Sequence, residues 1–213
     1  MTITTYAGLK EAVADYLGRD DLTQRIPMFI ALAEKRMNRD LRLRLMERRA
    51  KAVVSPLIAG CPLPCCREPG SWDVFMEMRD VVFESGGNIS NLAYVPPDDY
   101  QRESALTGLP RRYTIIGTRL FLSPTPDSAG ELRLLYYAEI PPLSDEFPEN
   151  ALLRTAPDLY LYAALAESIP FTRGSVPGEL WTQYYTEARD KLMQNEQRGR
   201  YTANLKMRPE RRV

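Results

Sequence analysis

Residues 131–168 read ELRLLYYAEIPPLSDEFPENALLRTAPDLYLYAALAES, and the fold turns on the change of pattern inside them. ELRLLYYAE, residues 131–139, reads as a strand that follows the Pro-rich turn SPTPDSAG. From residue 150 the spacing becomes helical, with a break or restart at Pro157. Leu159, Tyr162, Ala163 and Ala166 then fall on one helical face.

Upstream of this switch, YTIIGTRLFLSP places two extended runs on either side of Gly117-Thr118, a two-residue loop suited to a type II′ hairpin turn. Trp72, Val74, Met76 and Met78 alternate with Asp73, Phe75, Glu77 and Arg79, the period of a half-buried strand. Residues 47–140 therefore read as a mostly antiparallel β region. Before it, TYAGLKEAVADYL puts Tyr6, Leu9, Val13, Tyr16 and Leu17 on one helical face, with Thr5 available as N-cap and Gly18 past the end. IPMFIALAEKRMNRDLRLRL continues with Pro27 at a first helical position and Phe29, Ile30, Ala33, Met37 and Leu41 as its apolar stripe. Downstream, residues 177–197 align Leu180, Trp181, Tyr184, Ala188 and Leu192, and RGRYTANLKMRPERRV after them reads as an extended tail.

The fold class is thus α+β: a helical bundle built from N- and C-terminal helices, an inserted mostly antiparallel β domain and an extended C-terminal tail. The expected divisions are 1–46 for the first helices, 47–149 for the β domain, 150–197 for the last helices and 198–213 for a basic arm.

Composition narrows function. The chain has 213 residues and 44% hydrophobic content, enough for a substantial core, and 28 basic residues balance 28 acidic ones. Histidine is absent, which removes the usual general base, the usual Zn ligand and every Ser-His or Cys-His nucleophilic pair. No apolar run is long enough for a membrane span, and the N-terminus lacks a basic region leading into an apolar one. No membrane partner is expected. Three cysteines make a poor disulfide framework and suit a reducing compartment.

Those cysteines, Cys61, Cys65 and Cys66, crowd into GCPLPCCREPGSW. Structural Zn takes four N or S ligands, so a C-x3-C-C run without His lacks a fourth, and a loop or packing role is the expectation. The carboxylate pairs Asp98-Asp99 and Asp145-Glu146, with Glu149, sit in Pro-rich, turn-like stretches where acids serve as caps or solvated groups. No Gly-rich phosphate-binding pattern occurs. Neither a cofactor, a metal nor a catalytic residue is expected, and the chain reads as no enzyme.

Charge is segregated. Residues 35–51 carry eight basic and two acidic groups, a net of +6, among them Arg36, Arg39, Arg42 and Arg44. The tail from 198 to 213 has a net of +5 from Arg198, Arg200, Lys206, Arg208, Arg211 and Arg212 against Glu210. Residues 139–187, with Glu167 and Glu179, have a net of −6. Opposite local charges in a neutral chain suit association with further copies or with a charged partner.

Several spaced blocks carry a family resemblance: IPMFIALAEKRMNRDLR, AYVPPDDY, GLPRRYTIIGTRLFLSPTP, YYAEIPPLSD, Asn150 and PDLYLYAAL. In this order they resemble the head-to-tail adaptor proteins of tailed bacteriophages, the tail tubular protein A type, over about residues 6–197. The resemblance implies a virion structural protein at the head-tail junction, assembled in the host bacterial cytoplasm. It implies a homo-oligomeric ring, usually of twelve copies, between the portal protein and the tail nozzle or other tail proteins. Double-stranded DNA would pass through its channel without sequence recognition.

By the same resemblance the C-terminal arm (Arg198, Arg200, Tyr201, Lys206, Arg208, Arg211, Arg212) reaches the portal or a neighbouring subunit. Arg36, Arg39, Arg42, Arg44, Glu167 and Glu179 are then candidates for inter-subunit or channel-facing charge. Asn150, Pro157, Asp158, Leu159 and Tyr160 belong to the family motif as fold determinants, Pro157 and Asp158 suiting a helix start. The likeness lapses between 60 and 72, where CCREPGSW follows Leu63-Pro64. Two other functions fit some of these residues: DNA contact through the basic segments, and a carboxylate-dependent cell-wall hydrolase using Asp98, Asp99, Asp145 and Glu146.

Overall fold

A computed structural model describes residues 3–66, 73–103, 106–172 and 178–201. In chain order the elements are α1 (Tyr6–Leu17), α2 (Ile26–Asp40), β1 (Glu47–Val54), β2 (Gly60–Pro62), β3 (Cys65–Cys66), β4 (Asp73–Ser85), β5 (Asn88–Asn91) and β6 (Ala93–Tyr94). They continue as α3 (Pro97–Glu103), β7 (Arg112–Ile116), β8 (Arg119–Ser123), β9 (Gly130–Ala138), α4 (Ala151–Thr155), α5 (Pro157–Thr172) and α6 (Gly178–Tyr201). The chain divides into a helical unit, residues 1–45 with 140–213, and a β unit, residues 46–139.

In the helical unit the expected helix signals operate at α1. The Thr5 hydroxyl accepts the Gly8 N–H at 3.2 Å, and Gly18, at φ +56°, ends the helix with its N–H on the Ala14 carbonyl. α2 carries Pro27 in its first turn but stops at Asp40, short of the full basic run, because Leu41 turns extended. α5 corrects the one-face expectation. Leu159, Tyr160, Leu161, Ala163, Ala164, Leu165 and Ala166 are all buried, so apolar residues surround almost its whole circumference. It is the central helix, and α1, α2 and α6 pack on it.

Two boundaries and one helix face differ from those expected. Residues 140–149 belong with the helices, not the β domain, because backbone groups in this stretch bond to side chains of α2. α6 runs to Tyr201, so residues 198–201 are helical rather than extended; Lys206, Arg208, Arg211 and Arg212 lie outside the described residues. On α6 the buried aromatic pair is Trp181 and Tyr185, while Leu180 and Tyr184 face outward.

The β unit holds two sheets. One has the order β1-β9-β4-β3, with β5 also on β4; the other has the order β2-β8-β7-β6. The pairings are antiparallel except β6 on β7, which is parallel. Both sheets feed one core, with Val81, Phe83, Leu132, Leu134 and Tyr136 from the first and Tyr113, Leu120 and Leu122 from the second. The β7–β8 hairpin closes over Gly117-Thr118 with Gly117 at φ +61°. Thr118 does not share the positive φ, as a type II′ turn requires.

The alternation expected over 72–79 fails for a visible reason. Register shifts between Phe75 and Glu77 and between Met78 and Asp80 each insert a residue into β4. Phe75, Met78, Val81 and Phe83 consequently share the core side, so Phe75 replaces Val74 and Met76 there while Met78 keeps the inward side expected of it. Trp72 lies outside the described residues. Of the loop or packing roles expected for the cysteine stretch, Cys61 takes the packing one, buried in β2 opposite Leu120, while Cys65–Cys66 form β3 opposite Val74 and Asp73 in place of a loop. The intervening Pro62-Leu63-Pro64 carries the chain from one sheet to the other.

Candidate interaction surfaces

The motif residues between Asn150 and Tyr160 build the interior of the helical unit. Asn150 caps α4 by accepting the Leu153 N–H at 2.8 Å, and its amide donates to the Pro141 carbonyl at 2.8 Å and to the Tyr160 hydroxyl at 2.6 Å. Tyr160 in turn donates to Glu34 at 3.4 Å. Glu34 also accepts the Leu143 N–H, and Asn38, one turn later on α2, accepts the Ile140 N–H, each at 2.8 Å. The irregular stretch after β9 is thus tied to α2 and α5 by side chains that satisfy its buried backbone.

Burial raises the Glu34 carboxyl to about 7, against the lowering pull of the Leu143 N–H, the Tyr160 hydroxyl and Lys35. The Tyr160 hydroxyl is pushed far up by burial first and by Glu34 second. Pro157 restarts the helix and Asp158 stands exposed in its first turn, while Leu159 is buried. Glu34 and Asn38 are not among the candidates that the sequence patterns mark. Their signal was position: two polar residues four apart, flanking the apolar stripe of α2.

A second layer of polar contacts joins α2, α5 and α6. Arg36 lies 3.0 Å from Glu167 and stacks over the Tyr185 ring at 5.5 Å, while the Tyr185 hydroxyl donates to Asp40 at 2.7 Å. Burial and Asp40 together push that hydroxyl up. Arg42 donates to the Leu41 and Asn38 carbonyls at 2.6 and 3.0 Å, where it complements the C-terminal end of α2. Arg44 binds Glu196 of α6 through its backbone N–H and its guanidinium, at 3.1 and 3.0 Å. Of the charges expected on a surface between subunits, Arg36 and Glu167 therefore meet each other within one chain, and Arg44 meets Glu196. Arg39 and Glu179 are exposed, and Arg198 lies in the last turn of α6.

Asp98 and Asp99 are exposed at the start of α3. Asp145 and Glu146 are exposed in the helical unit, with Asp145 2.9 Å from Lys10. Burial raises the Cys61 thiol, which makes it less reactive. Among the described residues no group of three or more Cys, Asp or Glu is arranged to hold a metal ion, and no helix is long and apolar enough to cross a membrane.

A comparison with curated proteins finds no match. A family model does match, that of the SU10 adaptor protein, and it spans residues 4–209. That range takes in both parts of the helical unit and the β unit between them, and it agrees with the resemblance to bacteriophage head-to-tail adaptors carried by Asn150, Pro157 and Tyr160. The chain belongs to the SU10 adaptor protein family of phage structural proteins.

Proposed function

We propose that this protein is a virion component at the head-tail junction, where copies form a ring between the portal protein and the tail. The observation that carries the reading is the family match over residues 4–209 of a 213-residue chain. The ring, of twelve copies, surrounds a channel through which double-stranded DNA passes without sequence recognition. Its partners are the portal protein on one side and the tail nozzle or other tail proteins on the other. The basic arm that begins at the end of α6 with Arg198, Arg200 and Tyr201 and continues through Lys206, Arg208, Arg211 and Arg212 reaches the portal or a neighbouring copy. Arg39 and Glu179, both exposed, remain the candidates for charge between subunits or towards the channel.

The test is to mix purified protein with portal and image the product by electron microscopy, alongside sedimentation of the protein alone. A ring seated on the portal is the expected result. A protein that stays monomeric and binds no portal overturns the reading.

A further inference from the structure

Two outward faces of the helical unit are apolar, and they differ in charge. On α2, Met28, Leu32, Lys35 and Arg39 follow at intervals of four, three and four, so they stack along one side. Phe29, Ile30, Ala33 and Met37 occupy the opposite side and are buried. Met28 is 41% and Leu32 44% exposed, a large apolar pair at the head of a basic stripe.

The second face is built by three helices. The Tyr162 ring of α5 and the Tyr184 ring of α6 lie 5.1 Å apart. α1, which carries Tyr16, packs on α5, and Asp158 is one turn before Tyr162 on the same helix; burial first, and then Tyr16, Asp158 and Tyr184, push the Tyr162 hydroxyl up. Tyr16 is 55% exposed, and Tyr184 and Leu180, one turn apart on α6, are each 38% exposed. Asp158, one turn before Tyr162, and Asp15, which precedes Tyr16 on α1, are both exposed and give this side of the unit acidic groups.

These faces lie on opposite sides of the bundle. Tyr160 and Glu167 of α5 meet Glu34 and Arg36 of α2. At roughly 100° per residue, Tyr162 lies about 200° from Tyr160 and about 140° from Glu167 around the helix, on the side away from α2. The exposed stripe of α2 points away from α5, because its buried residues are the ones packed inward.

We propose that the occupant of each face is a second copy of this chain: the Met28–Leu32–Lys35–Arg39 stripe of one copy docks on the Tyr16–Tyr162–Tyr184 patch of the next. This inference rests on the ring reading and names the surfaces that close the ring. Pairing unlike faces sets Lys35 and Arg39 of one copy against Asp15 and Asp158 of the next, whereas pairing like faces brings no opposite charges together. Unlike faces on opposite sides of one unit give a head-to-tail contact, the kind that repeats around a ring. Exposed tyrosines supply broad contact area and a polar tip, as anchors of protein interfaces do.

The test uses the full chain with portal present, read by sedimentation velocity and negative-stain imaging. Circular dichroism confirms that each variant is folded. Lys35→Glu with Arg39→Glu is expected to lower the ring fraction at least tenfold, and so is Asp15→Lys with Asp158→Lys. All four changes in one chain restore complementarity and should restore rings. Leu32→Asp, on an exposed position, should also abolish rings without unfolding the helix. Rings that form equally in all variants, or survive Leu32→Asp, overturn this inference and leave the ring reading standing. An unaltered chain that forms no ring with portal overturns both.

Discussion

The Asn150 amide donates to the Tyr160 hydroxyl across 2.6 Å, and the same side chain caps α4 through the Leu153 N–H. One residue therefore fixes where the last helices begin and how they bind the stretch that precedes them. Asn150→Ala removes an N-cap and strips partners from Pro141 and Tyr160, both within the helical unit. The expected loss is about 2–4 kcal/mol, combining a missing cap with newly unsatisfied buried groups. Urea denaturation measures it; a loss below about 1 kcal/mol would show that this network contributes little.

Glu34 makes stability depend on pH. Its carboxyl is raised to about 7 in the folded chain against an ordinary value of 4.5, so the folded state holds this proton more tightly than the unfolded state does. The sign follows: the contribution is fully present below about 4.5, declines as pH rises, and is lost above about 7. The size is on the order of 3 kcal/mol across that window. Glu34→Gln keeps an acceptor for the Leu143 N–H and carries no titrating group. The difference in unfolding free energy between the unaltered chain and the variant should therefore change between pH 5 and pH 7.5, and a pH-independent difference would refute the assignment.

Much of this fold was legible because local signals and tertiary packing agree. Thr5, Gly18, Pro27 and Gly117 act where capping and turn chemistry put them. Asn150, Pro157 and Tyr160 are recognisable from the sequence as family-motif residues. What stayed hidden needed three dimensions. Phe75 turns inward only because two bulges in β4 reset the alternation, and no local pattern announces them. Arg36 reads as surface charge in the sequence, and only the fold brings Glu167, far away in the chain, within 3.0 Å of it. The apolar spacing favours Tyr184, yet Tyr185 is the one covered, since adjacent tyrosines differ only by helical phase and Arg36 and Asp40 of α2 receive Tyr185.

Gly130 is required where β9 begins. A Cβ there would lie 2.7 Å from the Glu84 carbonyl oxygen and 2.6 Å from Cε2 of Phe83, itself a fully buried ring. Backbone cannot move aside as a flexible side chain would. Gly130→Ala should destabilise the β unit by about 2 kcal/mol or more, the scale of overpacking in a dense core. Thermal unfolding followed by near-ultraviolet circular dichroism reads the effect; a variant as stable as the unaltered chain would mean that β9 and β4 can separate there without loss.

The end of α6 bears on the arm. Glu196 holds Arg44 through two hydrogen bonds, and a Cβ on Gly199 would lie 2.7 Å from the Arg44 guanidinium, so the last turns of α6 run close against that side chain. A chain ending at Tyr201 keeps these contacts and the buried Trp181 and Tyr185, and its melting temperature should match that of the full chain within about 2 °C, no more than the shift expected from 1 kcal/mol in a chain of this size. It loses Lys206, Arg208, Arg211 and Arg212 together, four of the basic groups that the arm offers a partner. Binding to portal should weaken at least tenfold, and the salt dependence of what remains should flatten, because fewer charges are brought together. Undiminished portal binding by the truncated chain, with its fold intact, would show that the arm is not the contacting segment.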